Sequence, residues 1–239
     1  MRPSSPHFIL TLCGLLFVSP ALLVARQDFT GLIESKNVTT DETGANVGFT
    51  MLIWIGEQNV KIQNTYDGTI PASTMIYRND RHVLWMLNTD DKTFFEIRQD
   101  EKPETVTPPG RPGQEERFAV KRTGKKKKIL GYDCEQVVLR RSDQETEIWG
   151  SRKLAYLSGV ISKRLGGEQV EQGGGWSEEV EKLGLFPLAA TTRIEGVVAE
   201  SQEIIRIEPR MIPPEVFEIP AGYKKQSLGS IIDGETREK

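Results

Sequence analysis

Apolar and polar residues alternate at period two through much of the chain, the spacing that sends successive side chains of a strand to opposite faces. In Val47-Gly-Phe-Thr-Met-Leu-Ile-Trp-Ile55, the residues Val47, Phe49, Met51, Ile53 and Ile55 share one face. Gly56-Glu57-Gln58-Asn59 reads as a tight connection to Val60-Lys-Ile62, where the alternation resumes. Thr74–Arg78 and Arg81–Leu87 predict two further strands, with Asn79-Asp80 between them as a two-residue hairpin signal. Asn88 to Lys92 makes the next turn and Thr93–Ile97 the next strand, so the first half reads as a β-meander. Residues 100–114 break the pattern with prolines and glycines among charges, the composition of an exposed loop. Strands resume at Arg117–Lys121, Asp133–Arg140 and Glu145–Trp149.

The period then changes. Leu154, Leu157 and Ile161 lie along one helical face between Lys153 and Lys163. Gly166-Gly167 ends that stretch, Gly173–Gly175 forms a joint, and Ser177–Leu183 predicts a second short helix with Ser177 as N-cap and Gly184 as C-cap. Strands return at Leu188–Ile194 and Val198–Ile207, and the run Phe217–Tyr223 closes the domain. The expectation is a mainly β (α+β) domain, a curved antiparallel sheet of about ten strands with one or two short covering helices and a helical excursion at 153–184. Several strands are apolar on both faces, Leu52 and Trp54 lying opposite Met51 and Ile53. Something must cover both faces: a helix or second sheet, or a partly open cavity for an apolar ligand.

The chain start reads differently. After Arg2 and His7, residues 8–18 are almost wholly apolar, Pro20 ends the core, and Leu23-Val24-Ala25 places a small residue before Arg26. This is the order of a secretory signal peptide cleaved near Ala25, and an apolar core of about 11 residues is too short to span a bilayer. Cys13 lies inside the apolar core behind Leu12, an arrangement that disfavours lipid attachment there. Removing residues 1–25 leaves 214 residues, enough for one domain at 28–225 and a polar tail at 226–239. The leader takes one Arg and no acid with it, moving the net charge from −3 to −4, which offers no global attraction for nucleic acid. No second long apolar stretch follows, so no transmembrane segment is expected in the mature chain.

Only Cys134 and His82 then remain of their residue types. They cannot form an internal disulfide or a four-ligand zinc site, so no metal or other cofactor is expected. No nucleophile motif or phosphate loop is present either, which argues against an enzyme.

The stretch Leu130-Gly-Tyr-Asp-Cys-Glu-Gln, preceded by lysines, resembles a family of bacterial exported proteins grouped under a domain of unknown function, number 4412. Glu145–Trp149, Phe186-Pro187-Leu188, Phe217–Lys225, and Trp85-Met-Leu-Asn with the turn Asp90–Thr93 follow the same order over roughly residues 28–225. The family resembles in turn the half-open β-barrels of LolA-type periplasmic lipoprotein carriers, which implies a curved sheet, capped by helices, that holds acyl chains. Activity does not follow from architecture.

Phe49, Met51, Trp54, Trp85, Met86 and Phe95 are the candidates to line an apolar groove, or else belong to an ordinary core. Lys125, Lys126, Lys127 and Lys128 are candidates to meet lipid headgroups or a partner, or else form a solvated hairpin end. Cys134 reads as a small buried hydrophobe, and Asn37-Val-Thr39 is a glycosylation sequon by pattern only. The expected function is a non-catalytic periplasmic or envelope protein binding a lipid, acyl chain or other apolar ligand. The alternative is an interaction module that docks an envelope protein.

Overall fold

A computed structural model describes residues 29–41, 43–66, 70–98, 117–165 and 176–227. The expected leader and Cys13, the loop at 100–114, the glycine run and most of the polar tail lie outside the described residues. The strands are β1 (Gly31–Thr40), β2 (Asn46–Ile55), β3 (Val60–Tyr66), β4 (Ile70–Arg78), β5 (Val83–Asn88), β6 (Thr93–Arg98), β7 (Ala119–Ile129), β8 (Tyr132–Arg141), β9 (Gln144–Ser151), β10 (Phe186–Ile194), β11 (Val197–Pro209) and β12 (Lys224–Gln226). Two helices, α1 (Ala155–Arg164) and α2 (Trp176–Lys182), separate β9 from β10.

All twelve strands join one sheet in the order β12-β6-β5-β4-β3-β2-β1-β11-β10-β9-β8-β7. Every pairing is antiparallel except the short parallel one of β12 on β6. The sheet is curved and open, with β12 and β7 at its two edges. β1 is its hinge, pairing with β2 on one side and β11 on the other, so it ties the N-terminal meander to the C-terminal strands.

Each half of the sheet is covered by a different segment. α1 lays Leu157 over Ile33, Ile55, Leu188 and Ile204, and sets Leu165 beside Met51, Val60 and Ile62. α2 seats Trp176 and Val180 on Val137, Leu139 and Ile148. The face that carries both helices is called the inner face below. On the outer face of β2–β6, the C-terminal segment takes the place of a helix: Ile212 and Phe217 pack against Ile76, Val83, Trp85 and Leu87. Two covers explain why the strands are apolar on both sides.

Local chemistry fixes the connections. Leu130-Gly131 and Glu195-Gly196 have positive φ at both positions, the geometry of type I′ turns. Gly184 does end α2 at φ +67°: its N–H donates to Glu181 O and that of Leu185 to Val180 O, the two bonds of a Schellman cap. At the other end α2 starts at Trp176, so Ser177 lies within the helix and does not cap it.

The hairpin at 79–80 also needs correcting. Arg78 pairs with Val83, leaving a four-residue turn over 79–82. The Asn79 amide donates to Gln58 O and Arg164 O, a tertiary role, and Asp80 accepts from Arg78 at the end of β4, so neither side chain serves a two-residue turn. The lysines at 125–128 are exposed at the end of β7, where it runs into the Leu130-Gly131 turn, with Gly124 at φ +78° marking a bulge just before them.

Candidate functional site

Cross-strand partners share a face, so register sorts the six apolar candidates. Phe49 lies opposite Tyr66, and Met51 opposite Asn64. Met86 lies between Met75 and Phe95. Ile53 pairs with Ile62, and Ile62 with Met75, which places Phe49, Met51, Met86 and Phe95 on the inner face. Trp54 pairs with Lys61, Lys61 with Ile76, Ile76 with Trp85, and Trp85 with Glu96: a row on the outer face. The six residues therefore form two groups.

The outer group is core. Trp85 is 5% exposed beneath the C-terminal segment, and its indole N–H donates to Glu96 Oε2 at 3.0 Å. The Arg78 and Arg81 guanidinium groups stand 5.5 and 5.6 Å from its ring centroid. Arg78, only 4% exposed, donates to both carboxylate oxygens of Asp80, to Glu218 Oε1 at 2.6 Å and to Phe217 O at 3.2 Å. Lys225 reaches Glu96 Oε1 at 2.7 Å. This cluster fastens the C-terminal segment to the meander.

The inner group is only partly covered. Met51 is buried under α1, but Met86 is 41% and Tyr66 44% exposed. Phe49, Met75, Leu84, Phe95 and Ile97 are half-buried beside them. Phe49 and Tyr66 stack with centroids 5.7 Å apart. Among the described residues, an apolar strip is thus only partly covered on the inner face of β2–β6, beside the cluster that Ile161 and Leu165 join. Sequence reasoning passed over Tyr66, Met75, Leu84 and Ile97, although their period-two spacing was the available signal.

The lysines stand elsewhere. β7 is the far edge of the sheet, nine strand spacings from β5, roughly 43 Å along the sheet. Lys128 pairs with Asp133 at 3.0 Å and Lys127 lies over Trp149. They do not share a site with the apolar strip.

A second concavity of about 840 Å³ opens at the β2–β3 turn, between Tyr156 of α1 and the C-terminal segment. Phe29, Ile212 and Phe217 line it, with Met211 at 89% exposure on its rim. None of the six apolar candidates borders it.

The carboxylates that fasten the C-terminal segment set its acid limit. Hydrogen bonds from Arg78 hold Asp80 below its ordinary value of 3.8, and Lys225, then Trp85, hold Glu96 below 4.5. A carboxyl depressed in the folded state contributes stability above its unfolded value, and that contribution is lost as pH falls through the folded value. Burial pushes Glu200 up, so its contribution has the opposite sign and weakens as pH rises. Urea midpoints taken from pH 6 downward should therefore drop below about pH 4, and less steeply in the Asp80→Asn variant, which lacks one of the depressed groups.

Residues 29–223 match the family described as Domain of unknown function (DUF4412). The chain belongs to this family. The DUF4412 assignment agrees with the resemblance read from Leu130–Gln136 and Phe217–Lys225. No curated protein matches the chain in sequence. Among solved structures, it is similar to an uncharacterized conserved protein from Thermus thermophilus, at 7% identity and TM-score 0.47, over 83% of this chain and 91% of that one. A LolA superfamily protein, NE2245 from Nitrosomonas europaea, aligns at 10% identity and TM-score 0.32, over 80% and 91%. MucB, solved in complex with MucA(peri), aligns at 9% identity and TM-score 0.39 over 80% of this chain, which spans 55% of that one. Among the described residues, no helix is long and apolar enough to cross a membrane.

Proposed function

We propose that this DUF4412 protein is exported to the periplasm or cell envelope and there holds a lipid, acyl chain or other apolar ligand, without catalysis, on the apolar strip of its inner face. The observation that carries this reading is the strip itself: Tyr66 and Met86 exposed among Phe49, Met75, Leu84 and Phe95, on the face that α1 covers only in part. A patch of this kind is costly to leave in water and marks a binding surface more often than an accident of packing. The leader-like residues 1–25 support export.

Native mass spectrometry of protein purified from the periplasm without detergent, followed by organic extraction, tests this directly. A discrete added mass that resolves as a lipid is the expected result. The Tyr66→Ser, Met86→Ser double variant should lose that mass while its urea midpoint changes little, because both side chains are already solvent-exposed in the folded state. An apo mass that stays clean after incubation with lipids would sink the ligand reading.

A second reading has one observation behind it: among the described residues, β7 is a sheet edge with no strand beyond it, eleven residues long and almost wholly exposed. A partner's strand could add there, although edge lysines usually oppose such pairing. Capture of an envelope protein by wild type but not by a β7 proline variant would favour it.

A further inference from the structure

On the inner face, Glu200 is the one charged residue that register places among the described strand positions from β6 across to β9. Its cross-strand neighbours are Thr39 on β1 and Thr192 on β10. Two residues along β11, Gln202 lies opposite Asn37 and Ala190. Asn64 donates to Ser73 Oγ at 3.1 Å, while its own Oδ1 is buried without a hydrogen-bond partner. The side chains of Glu200 and Gln202 have no partner among the described residues either.

Glu200 can only accept, Gln202 offers an amide that both donates and accepts, and no Lys or Arg of those strands shares the face with them. The nearest cation that register sets on this face, Arg141 of β8, is three strand spacings from β11, roughly 14 Å along the sheet, where it donates to Gln144 Oε1 over the Phe118 ring, too far to neutralise an anion seated at Glu200. An anionic head placed there would be buried against a carboxylate with no counter-charge, an arrangement that proteins avoid. Burial pushes the Glu200 carboxyl above its ordinary range, as expected of an acid that lacks a cation.

We propose that the ligand is an amphiphile with a cationic, hydrogen-bond-donating head seated at Glu200 and Gln202. Its apolar chain runs past Phe49 and Tyr66 toward Met75 and Met86. This rests on the ligand reading above and names the ligand's chemical class. The row that starts at Gln202 continues through Asn37 and Phe49 to Tyr66, three strand spacings or roughly 14 Å, a span that a tetradecyl chain covers.

Three probes of equal chain length separate the possibilities: tetradecylamine, tetradecanoate and tetradecyl maltoside, titrated calorimetrically into the purified exported protein near pH 7, below micellar concentrations. The amine should bind at least about tenfold tighter than the carboxylate, and Glu200→Gln should bring the two within about threefold. The maltoside should bind wild type and Glu200→Gln alike, which also shows that the variant is folded. Equal or tighter binding of the carboxylate, or an amine preference that survives in Glu200→Gln, overturns the head assignment while chain binding stands. Binding of none of the three overturns the ligand reading itself, and this proposal with it.

Discussion

Trp85→Ala should lower the unfolding free energy by about 3–5 kcal/mol, the range for truncating a buried tryptophan to alanine. The loss has two parts. The indole fills the space between β5 and the C-terminal segment, where Ile212 and Phe217 would face a cavity. Its N–H also satisfies Glu96, which keeps only Lys225 in the variant. Equilibrium urea unfolding measures the change. A loss below about 1 kcal/mol would mean that the C-terminal segment does not cover the outer face in solution.

Arg78→Ala should cost about 2–3 kcal/mol, somewhat less than removing one partner of a fully buried ion pair. Three contacts vanish at once, to Asp80, Glu218 and the Phe217 carbonyl, but Asp80 and Glu218 are partly exposed and can be rehydrated. Arg78→Lys should recover little, since a single ammonium cannot reproduce the bidentate grip on Asp80. Arg78 and Trp85 touch, so their losses should not add. A double variant that loses less than the sum of the two, in the same urea measurement, is the expected result.

Much of the fold can be read from the residues, and the exceptions have physical causes. β2 is legible because Phe49, Met51, Ile53 and Ile55 repeat at period two, and the end of α2 because only Gly184 suits the left-handed C-cap. β1 escapes notice because it is polar where strands are usually apolar. Ser35 and Asn37 are buried on its inner face and bond each other, so the alternation that announces a strand is missing at the centre of the sheet. β12 is three exposed residues whose only signature is its pairing with β6. For the site, adjacent Trp85 and Met86 cannot share a strand face, so the six apolar candidates must divide between two environments. Which of them goes under cover depends on register and on where the C-terminal segment returns, and neither is written in local sequence. Glu200 is invisible for the same reason: its isolation comes from what nine strands do not contribute to the face.

The position of β1 also bears on the order of assembly. Its partner β11 leaves the ribosome more than 150 residues later, and the cover for Trp85 later still. Until then the nascent meander carries unpaired edges at β1 and β6 and a bare outer face, all prone to association. Long-range closures of this kind are slow, because the entropy of a large loop must be overcome before the contact forms. The chain therefore remains an open, unfinished sheet for nearly the whole of its synthesis, and an export route that accepts unfolded chains would receive it in that condition.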